Sequence, residues 1–175
     1  MKTWTPEEVL AERPDVMHLP GLATGFWEGH GQMSLLEILT VLPFSDFCRV
    51  WLAARPGALP GAVREKWGSV IVERAIRRAR VVCESSEWLA WAENWVDGID
   101  RSGLAAQRAA GIAIDDEVAF YAAQAAYQAA RGEWWGVAQA AVWQSYWNDD
   151  LGCNAGAEEF RRQVADLVAM KAEWE

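Results

Sequence analysis

The segment GFWEGHG (Gly25–Gly31) carries the side chains that come nearest to a catalytic or zinc-binding set. Glu28 and His30 lie two positions apart, and His18 precedes His30 by twelve. Two imidazoles and a carboxylate can bind zinc or exchange a proton with a substrate. The chain has no HExxH spacing and only two histidines in total, so we predict a hydrogen-bonded loop histidine here. Glu28 and His30 remain the polar groups of an alternative ligand pocket.

The acidic triplet Asp115, Asp116 and Glu117 and the isolated Cys48 are the other candidates for chemistry. Adjacent carboxylates can bind a cation, but acids at the start of a helix are stabilised by its dipole, by about 0.3–1 kcal/mol each. We predict this second role for the triplet. Cys48 is expected to be an inert buried thiol in an aromatic-rich helix. The sequence predicts no catalytic residue, no metal and no cofactor, since it contains no phosphate-binding, dinucleotide-binding or nucleophile-elbow motif.

The cysteine spacing, the lengths of the apolar runs and the N-terminal residues indicate where in the cell the protein acts. Cys48, Cys83 and Cys153 are widely spaced and odd in number, which favours reduced thiols over a disulfide scaffold. No apolar run reaches the roughly 18 residues that a membrane helix needs, and the N-terminal residues lack the apolar segment of a secretory signal. These features predict a soluble protein of the cytoplasm that makes no membrane contact.

The charge of the chain is acidic and unevenly distributed. The net charge is −9, and residues 85–175 carry fifteen Asp or Glu against six Lys or Arg. Nucleic-acid binding through this half is not expected, because that requires basic side chains that displace counterions from phosphate. The acidic field would instead attract a basic protein partner. A simpler interpretation is that the charge only keeps an apolar-rich protein in solution.

Tryptophan is the most unusual component, with twelve in 175 residues. Spacing of three and four predicts that Trp88, Trp91 and Trp95 form one buried stripe of a helix. Twelve indoles are too many for one small core, because each ring buries roughly 150–250 Å². Partner contacts are predicted where aromatic residues meet an acidic turn, since Trp and Tyr are enriched at interfaces. The predicted contact residues are Trp134, Trp135, Trp147, Asp149 and Asp150, with simple packing as the alternative.

Helical signals dominate the rest of the sequence. Capping boxes at Thr5 with Glu8 and at Ser34 with Glu37 mark two helix starts. Between them, residues 15–33 form a long glycine-containing loop. We predict an all-α fold with six to eight helices, packed as a single-domain bundle or a short array of helical hairpins. Its parts are an N-terminal helix and loop (1–33), a first helical part (34–84) and an Ala/Trp-rich acidic helical part (85–175).

Small residues predict how these helices pack. Ala122, Ala125, Ala126 and Ala129 form a narrow ridge along one helix. A neighbouring helix can approach such a ridge closely, while the large indoles fill the remaining spaces.

The second half contains three alanine-rich segments, WLAWAENWVDG (Trp88–Gly98), AAQRAA (Ala105–Ala110) and YAAQAAYQAARGE (Tyr121–Glu133). From Trp88 onward, which is about half of the chain, these segments give the sequence a resemblance to a loose group of alanine-rich helical proteins of bacteria and their phages. Some members of that group are named as immunity proteins. The resemblance implies a protein that binds and neutralises another protein, and it implies no catalytic residues.

Three functional interpretations follow. The first is a non-enzymatic module of the immunity or phage-inhibitor type that binds a basic protein. The second is a ligand-binding protein or hydrolase whose pocket is covered by residues 15–33, with Glu28 and His30 as its polar groups. The third is a helical component of a phage particle, and a homo-oligomer stays open in each case.

Overall fold

The computed structural model describes residues 3–5, 7–8, 31–40, 45–148 and 153–173. Within these ranges eight α-helices have defined bounds, and two-residue strands form a single short sheet. The strands are β1 (Thr3–Trp4) and β2 (Met33–Ser34); the helices are α1 (Leu35–Thr40), α2 (Asp46–Ala53), α3 (Gly61–Val82), α4 (Ser86–Val96), α5 (Gly103–Ile112), α6 (Glu117–Ala130), α7 (Trp134–Asn148) and α8 (Cys153–Ala169). The predicted all-α fold is confirmed, and the helices pack as a bundle.

Local side-chain bonds fix where the helices begin. Ser45, Ser85, Ser102 and Asp116 each accept a hydrogen bond from the backbone N–H three residues later, at the starts of α2, α4, α5 and α6. A cap of this kind contributes about 1 kcal/mol. The Asp116 cap agrees with the role predicted for the acidic triplet.

Both predicted capping boxes are present. The Thr5 backbone N–H donates to Glu8 at 2.9 Å, and the Glu8 N–H donates back to the Thr5 hydroxyl at 3.2 Å. Ser34 and Glu37 form the same reciprocal pair at 2.6 and 3.3 Å. Each box therefore satisfies two backbone donors that a helix start leaves without partners.

The short sheet was not predicted from the sequence. Thr3 pairs with Ser34 and Trp4 with Met33 in antiparallel register, and Trp4 is completely buried. Two-residue strands are too short to produce an alternating pattern, so periodicity cannot reveal them. Met33 belongs to β2, and the rest of the predicted loop up to residue 30 lies outside the described residues.

Helix α6 is the centre of the bundle and packs against α3, α5 and α7. Ala122, Ala125 and Ala126 on this helix are completely buried, and Ala129 is half-buried. Because these side chains are small, the three neighbouring helices can lie close to α6, as the alanine ridge predicted.

Most described indoles belong to the core. Trp88, Trp91 and Trp95 are buried as predicted, with ring centroids 5.4 and 5.9 Å apart along α4. Trp67 in α3 is also fully buried, and its indole N–H donates to the backbone carbonyl of Gln163 in α8 at 3.1 Å. Edge-to-face and tilted ring pairs of this kind add about 0.5–1.5 kcal/mol each beyond the area that they bury.

An ionic network lies where α3 meets α8. The side chains of Arg74 and Arg78 are only 20% and 16% exposed. Both contact Glu159, which is 1% exposed, and Arg74 also pairs with Asp166. Arg77 and Arg80 on the same helix are more exposed, at 70% and 38%. The packed helix α8 covers the face of α3 that carries Arg74 and Arg78.

Buried amides connect α7 to its neighbours. Gln144 is completely buried, and its Nε2 donates to the carbonyls of Ala75 in α3 at 2.6 Å and Val118 in α6 at 3.2 Å. Gln163 in α8 is equally buried and donates to the carbonyl of Ala138 in α7 at 3.2 Å. Two side chains thus tie α7 to three helices.

No helix in the described part of the chain is both long and apolar enough to cross a membrane.

Candidate functional site

The predicted contact residues separate into different environments. Trp134 and Trp135 are half-buried and pack against the hydrophobic core. The Trp134 ring lies over Gly68 of α3, while Trp135 stacks on Phe160 of α8 with ring centroids 6.3 Å apart. Neighbouring residues on a helix point about 100° apart, so each indole faces a different partner helix. Both rings therefore contribute to helix packing, the alternative stated for them above.

The fit of Trp134 against Gly68 gives a stability prediction. A β-carbon at residue 68 would overlap the Cζ3 and Cε3 atoms of Trp134, so Gly68→Ala should destabilise the protein by about 1–3 kcal/mol in urea unfolding. Gly111→Ala is the matched control, because nothing lies within 4 Å of a β-carbon there. The control should be neutral or stabilise by up to about 1 kcal/mol. Equal effects at the two glycines would contradict the close approach.

Trp147 is exposed, as the interface prediction requires. Its side chain is 57% exposed near the end of α7. Asp149 and Asp150, predicted beside it, lie outside the described residues, and so do Glu28 and His30 of the alternative pocket.

Two further aromatic side chains share its face of α7. Trp143 is 51% and Tyr146 38% exposed, and their ring centroids lie 5.6 Å apart. Residues three and four positions apart are neighbours on a helix surface, so Trp143, Tyr146 and Trp147 form one aromatic strip. The sequence did not single out Trp143, because α7 is apolar around most of its circumference and periodicity does not distinguish its outer face.

Trp147 lies at the edge of an open groove with a volume of ≈ 560 Å³. The groove is formed by the end of α3, the connection to α4, the end of α5 and the start of α6. We call it the acidic groove, because its lining includes the carboxylates Glu84, Asp115, Asp116 and Glu117. Val82 and Ile112, both partly exposed, add apolar surface to it. None of its described lining residues is basic.

The carboxylates of the acidic groove differ in what they can do. Asp116 caps α6, with its Oδ1 accepting from the Ala119 N–H at 3.0 Å. Glu84, Asp115 and Glu117 are exposed, and the structure shows no ion pair between any of the four and a described residue of the chain. Their charge is therefore available to a partner. Across the described ranges, no three His, Cys, Asp or Glu side chains are grouped so that they could hold a metal ion.

Cys83 lines the acidic groove as a free, buried thiol. Burial raises the pKa of this thiol, and the nearby carboxylates of Asp116 and Glu84 raise it further. Burial likewise raises the pKa of the Cys48 thiol. A raised pKa keeps a thiol protonated and weakly nucleophilic at neutral pH, so neither Cys83 in the groove nor Cys48 outside it is activated as a nucleophile.

Comparisons with known proteins give no relative for this chain: no family model, no curated protein and no solved structure matches it.

Proposed function

We propose that this protein is a non-enzymatic binding module that captures a basic protein partner through Trp147 and the acidic groove. The observation that carries the proposal is an indole 57% exposed beside four carboxylates, in a groove with no basic residue among its described lining. Resemblance to the immunity-type group supports an inhibitor role for such binding. Two described cysteines are free thiols, which supports action in a reducing compartment such as the cytoplasm.

The exposed indole of Trp147 can contribute to the free energy of binding in two ways. Covering half of an indole removes about 100 Å² of apolar surface from water, which stabilises a complex by about 2–3 kcal/mol. Trp is among the residues most enriched at the energetic centres of interfaces. An approaching Lys or Arg can also lie over the exposed indole face, with a gain of about 0.5–1 kcal/mol at such a site.

The carboxylates of the acidic groove would add selectivity for a basic partner and raise the rate of association. Carboxylates that are not neutralised within their own chain draw a basic surface towards the groove and disfavour acidic proteins. Because these charges are exposed, the attraction should weaken as salt concentration rises.

Trp147→Ala is expected to reduce capture of the partner at least about tenfold, the loss typical of an interface hot spot. The immobilised protein and its variant would be incubated with an extract of the organism that encodes it, and captured proteins quantified by mass spectrometry. Ile99→Ala is the control, since Ile99 is an apolar side chain that is 70% exposed but lies outside the groove.

The contribution of the acidic-groove carboxylates to binding is tested with a separate pair of variants. Asp115→Asn with Glu117→Gln should weaken capture of the same protein without removing the Asp116 cap, whereas Glu65→Gln changes an exposed acid on α3 that does not line the groove. A partner that is acidic, or whose capture is equal with Trp147→Ala and with the unaltered chain, would refute the proposal.

A further inference from the structure

A second groove lies on α3 beside the acidic groove. Its volume is ≈ 530 Å³, and α3 and Asp166 of α8 form its lining. We call it the arginine groove, because Arg74, Arg77 and Arg78 line it. Its lining on α3 runs as far as Val81, and the lining of the acidic groove starts at Val82. The last turn of α3 therefore joins two grooves of different charge.

The arginine groove has one guanidinium group with charge to spare. Arg74 and Arg78 are paired with the carboxylates of α8 described above. Arg77 is mostly exposed, and within the described residues its one ion pair is with Glu73, at 3.8 Å between Nη2 and Oε2. Glu73 also pairs with Arg101 at 3.5 Å. One carboxylate thus serves two guanidinium groups, and one positive charge remains uncompensated at the surface.

Uncompensated negative charge lies just beyond the end of the same helix. Glu84 follows α3 by two residues and is exposed, as are Asp115 and Glu117 across the acidic groove. None of the three forms an ion pair with any residue that the structure describes. The two ends of this face therefore carry charges of opposite sign.

Apolar side chains lie between the two charges. Val81 is 84% exposed, more than any other large apolar side chain in the described part of the chain, and Val82 next to it is half-exposed. Covering them would remove apolar surface from water, which favours association. A face that runs from positive through apolar to negative is complementary to a second copy of itself turned by 180°.

We propose that two copies of this chain associate about a two-fold axis at Val81, with the arginine groove of each copy against the acidic groove of the other. The two α3 helices then run antiparallel, and Arg77 of each copy pairs with Glu84 of the other. A two-fold interface uses the same patch on both copies, so every such contact occurs twice. The exposed valines meet at the axis.

A small anion is the main competitor for the arginine groove. Phosphate and carboxylate ligands are bound by forked, charge-assisted hydrogen bonds from free guanidinium groups. In this groove Arg74 and Arg78 are already neutralised, and the carboxylates of Glu73 and Asp166 share the lining. A second copy requires one free arginine on each side, and it also covers Val81. The charge balance and the exposed valine thus favour the second copy.

Self-association would regulate capture of a basic protein, a consequence that rests on the function proposed above. The second copy would cover the carboxylates of the acidic groove, which are the charges that attract a basic surface. The dimer and the complex would then exclude each other, so a basic protein has to displace one copy.

Sedimentation velocity of the full chain over a wide concentration range tests the dimer. We expect a monomer–dimer equilibrium that shifts towards monomer at high salt, because exposed charges are screened. Arg77→Glu would place two carboxylates opposite each other, and Glu84→Arg would do the same with two guanidinium groups. Each variant should weaken association at least about tenfold. A mixture of the two variants should form a dimer, because both pairs then have opposite charges again.

Arg108→Glu is the matched control for these charge reversals. Arg108 is an exposed arginine on α5 that lines neither groove, and its reversal changes the net charge as much as Arg77→Glu does. This variant should associate as the unaltered chain does. Val81→Asp, which would place two carboxylates at the axis, is a further variant that should be monomeric. Circular dichroism verifies that each variant is folded.

The dimer is refuted if the unaltered chain stays monomeric up to its solubility limit, if it forms assemblies larger than two copies, or if the mixed variants stay monomeric. Arg77→Glu separates this result from the proposed function, because it retains every residue that lines the acidic groove. It should capture the basic protein at least as well as the unaltered chain. A monomeric Arg77→Glu that captures no basic protein would refute the protein-binding function alone, whereas a monomeric unaltered chain that captures one would refute the dimer alone.

Discussion

Glu159→Ala is expected to lower the free energy of unfolding by about 3–5 kcal/mol, measured by urea denaturation followed by circular dichroism. Glu159 is almost completely buried and contacts both Arg74 and Arg78. Among the described residues, removing the carboxylate leaves Arg78 without an ionic partner in a largely buried site, and it leaves Arg74 with Asp166 alone. An uncompensated buried charge is far less favourable than a pair, which is why the loss should be large.

Glu158→Ala is the matched control for that prediction. Glu158 is the same residue type one position earlier, but its side chain is 42% exposed and pairs with Arg161 and Arg162 at the surface. Exposed pairs contribute about 0–1 kcal/mol, so this variant should unfold almost as the unaltered chain does. Equal losses at residues 158 and 159 would show that the Arg74–Glu159–Arg78 cluster does not hold α3 and α8 together.

Trp67→Ala should also cost about 3–5 kcal/mol, the range for deleting a large buried aromatic side chain. Trp67 is fully buried where α3 packs against neighbouring helices. The hydrogen bond that its indole N–H donates to the Gln163 carbonyl at 3.1 Å would be lost with the ring. The cavity and the lost hydrogen bond would both lower the free energy of unfolding. Urea unfolding monitored by far-ultraviolet circular dichroism measures the change independently of indole fluorescence.

Trp147→Ala provides the comparison for Trp67→Ala. The same atoms are removed, but from a side chain that is more than half exposed, so the expected change lies within about 0.5 kcal/mol. A loss at residue 147 as large as at residue 67 would assign Trp147 to the core. The acidic groove would then lose its anchor, and the protein-binding proposal would lose its main support.

Features determined by neighbouring residues could be predicted from the sequence. The capping boxes of Thr5 and Ser34 and the buried stripe of Trp88, Trp91 and Trp95 depend on spacings of three and four along one helix. Such spacings are visible in the sequence, and the structure confirms them.

Features determined by contacts between helices could not be predicted. Glu158 and Glu159 are adjacent and identical in type, yet one is exposed and the other buried, because only Glu159 faces α3. Which indoles of α7 are buried also depends on contacts between helices. Trp135 is covered by Phe47 and Phe160, which are distant in sequence, whereas Trp143 is left at the surface.

The buried amide of Gln144 has a consequence for the orientation of α7. Because this helix is apolar around most of its circumference, burial of apolar surface alone selects its rotation about its own axis only weakly. The hydrogen bonds from Gln144 to the Ala75 and Val118 carbonyls form at one rotation, the same one at which Trp134 lies over Gly68. At this rotation Trp143 and Trp147 face solvent.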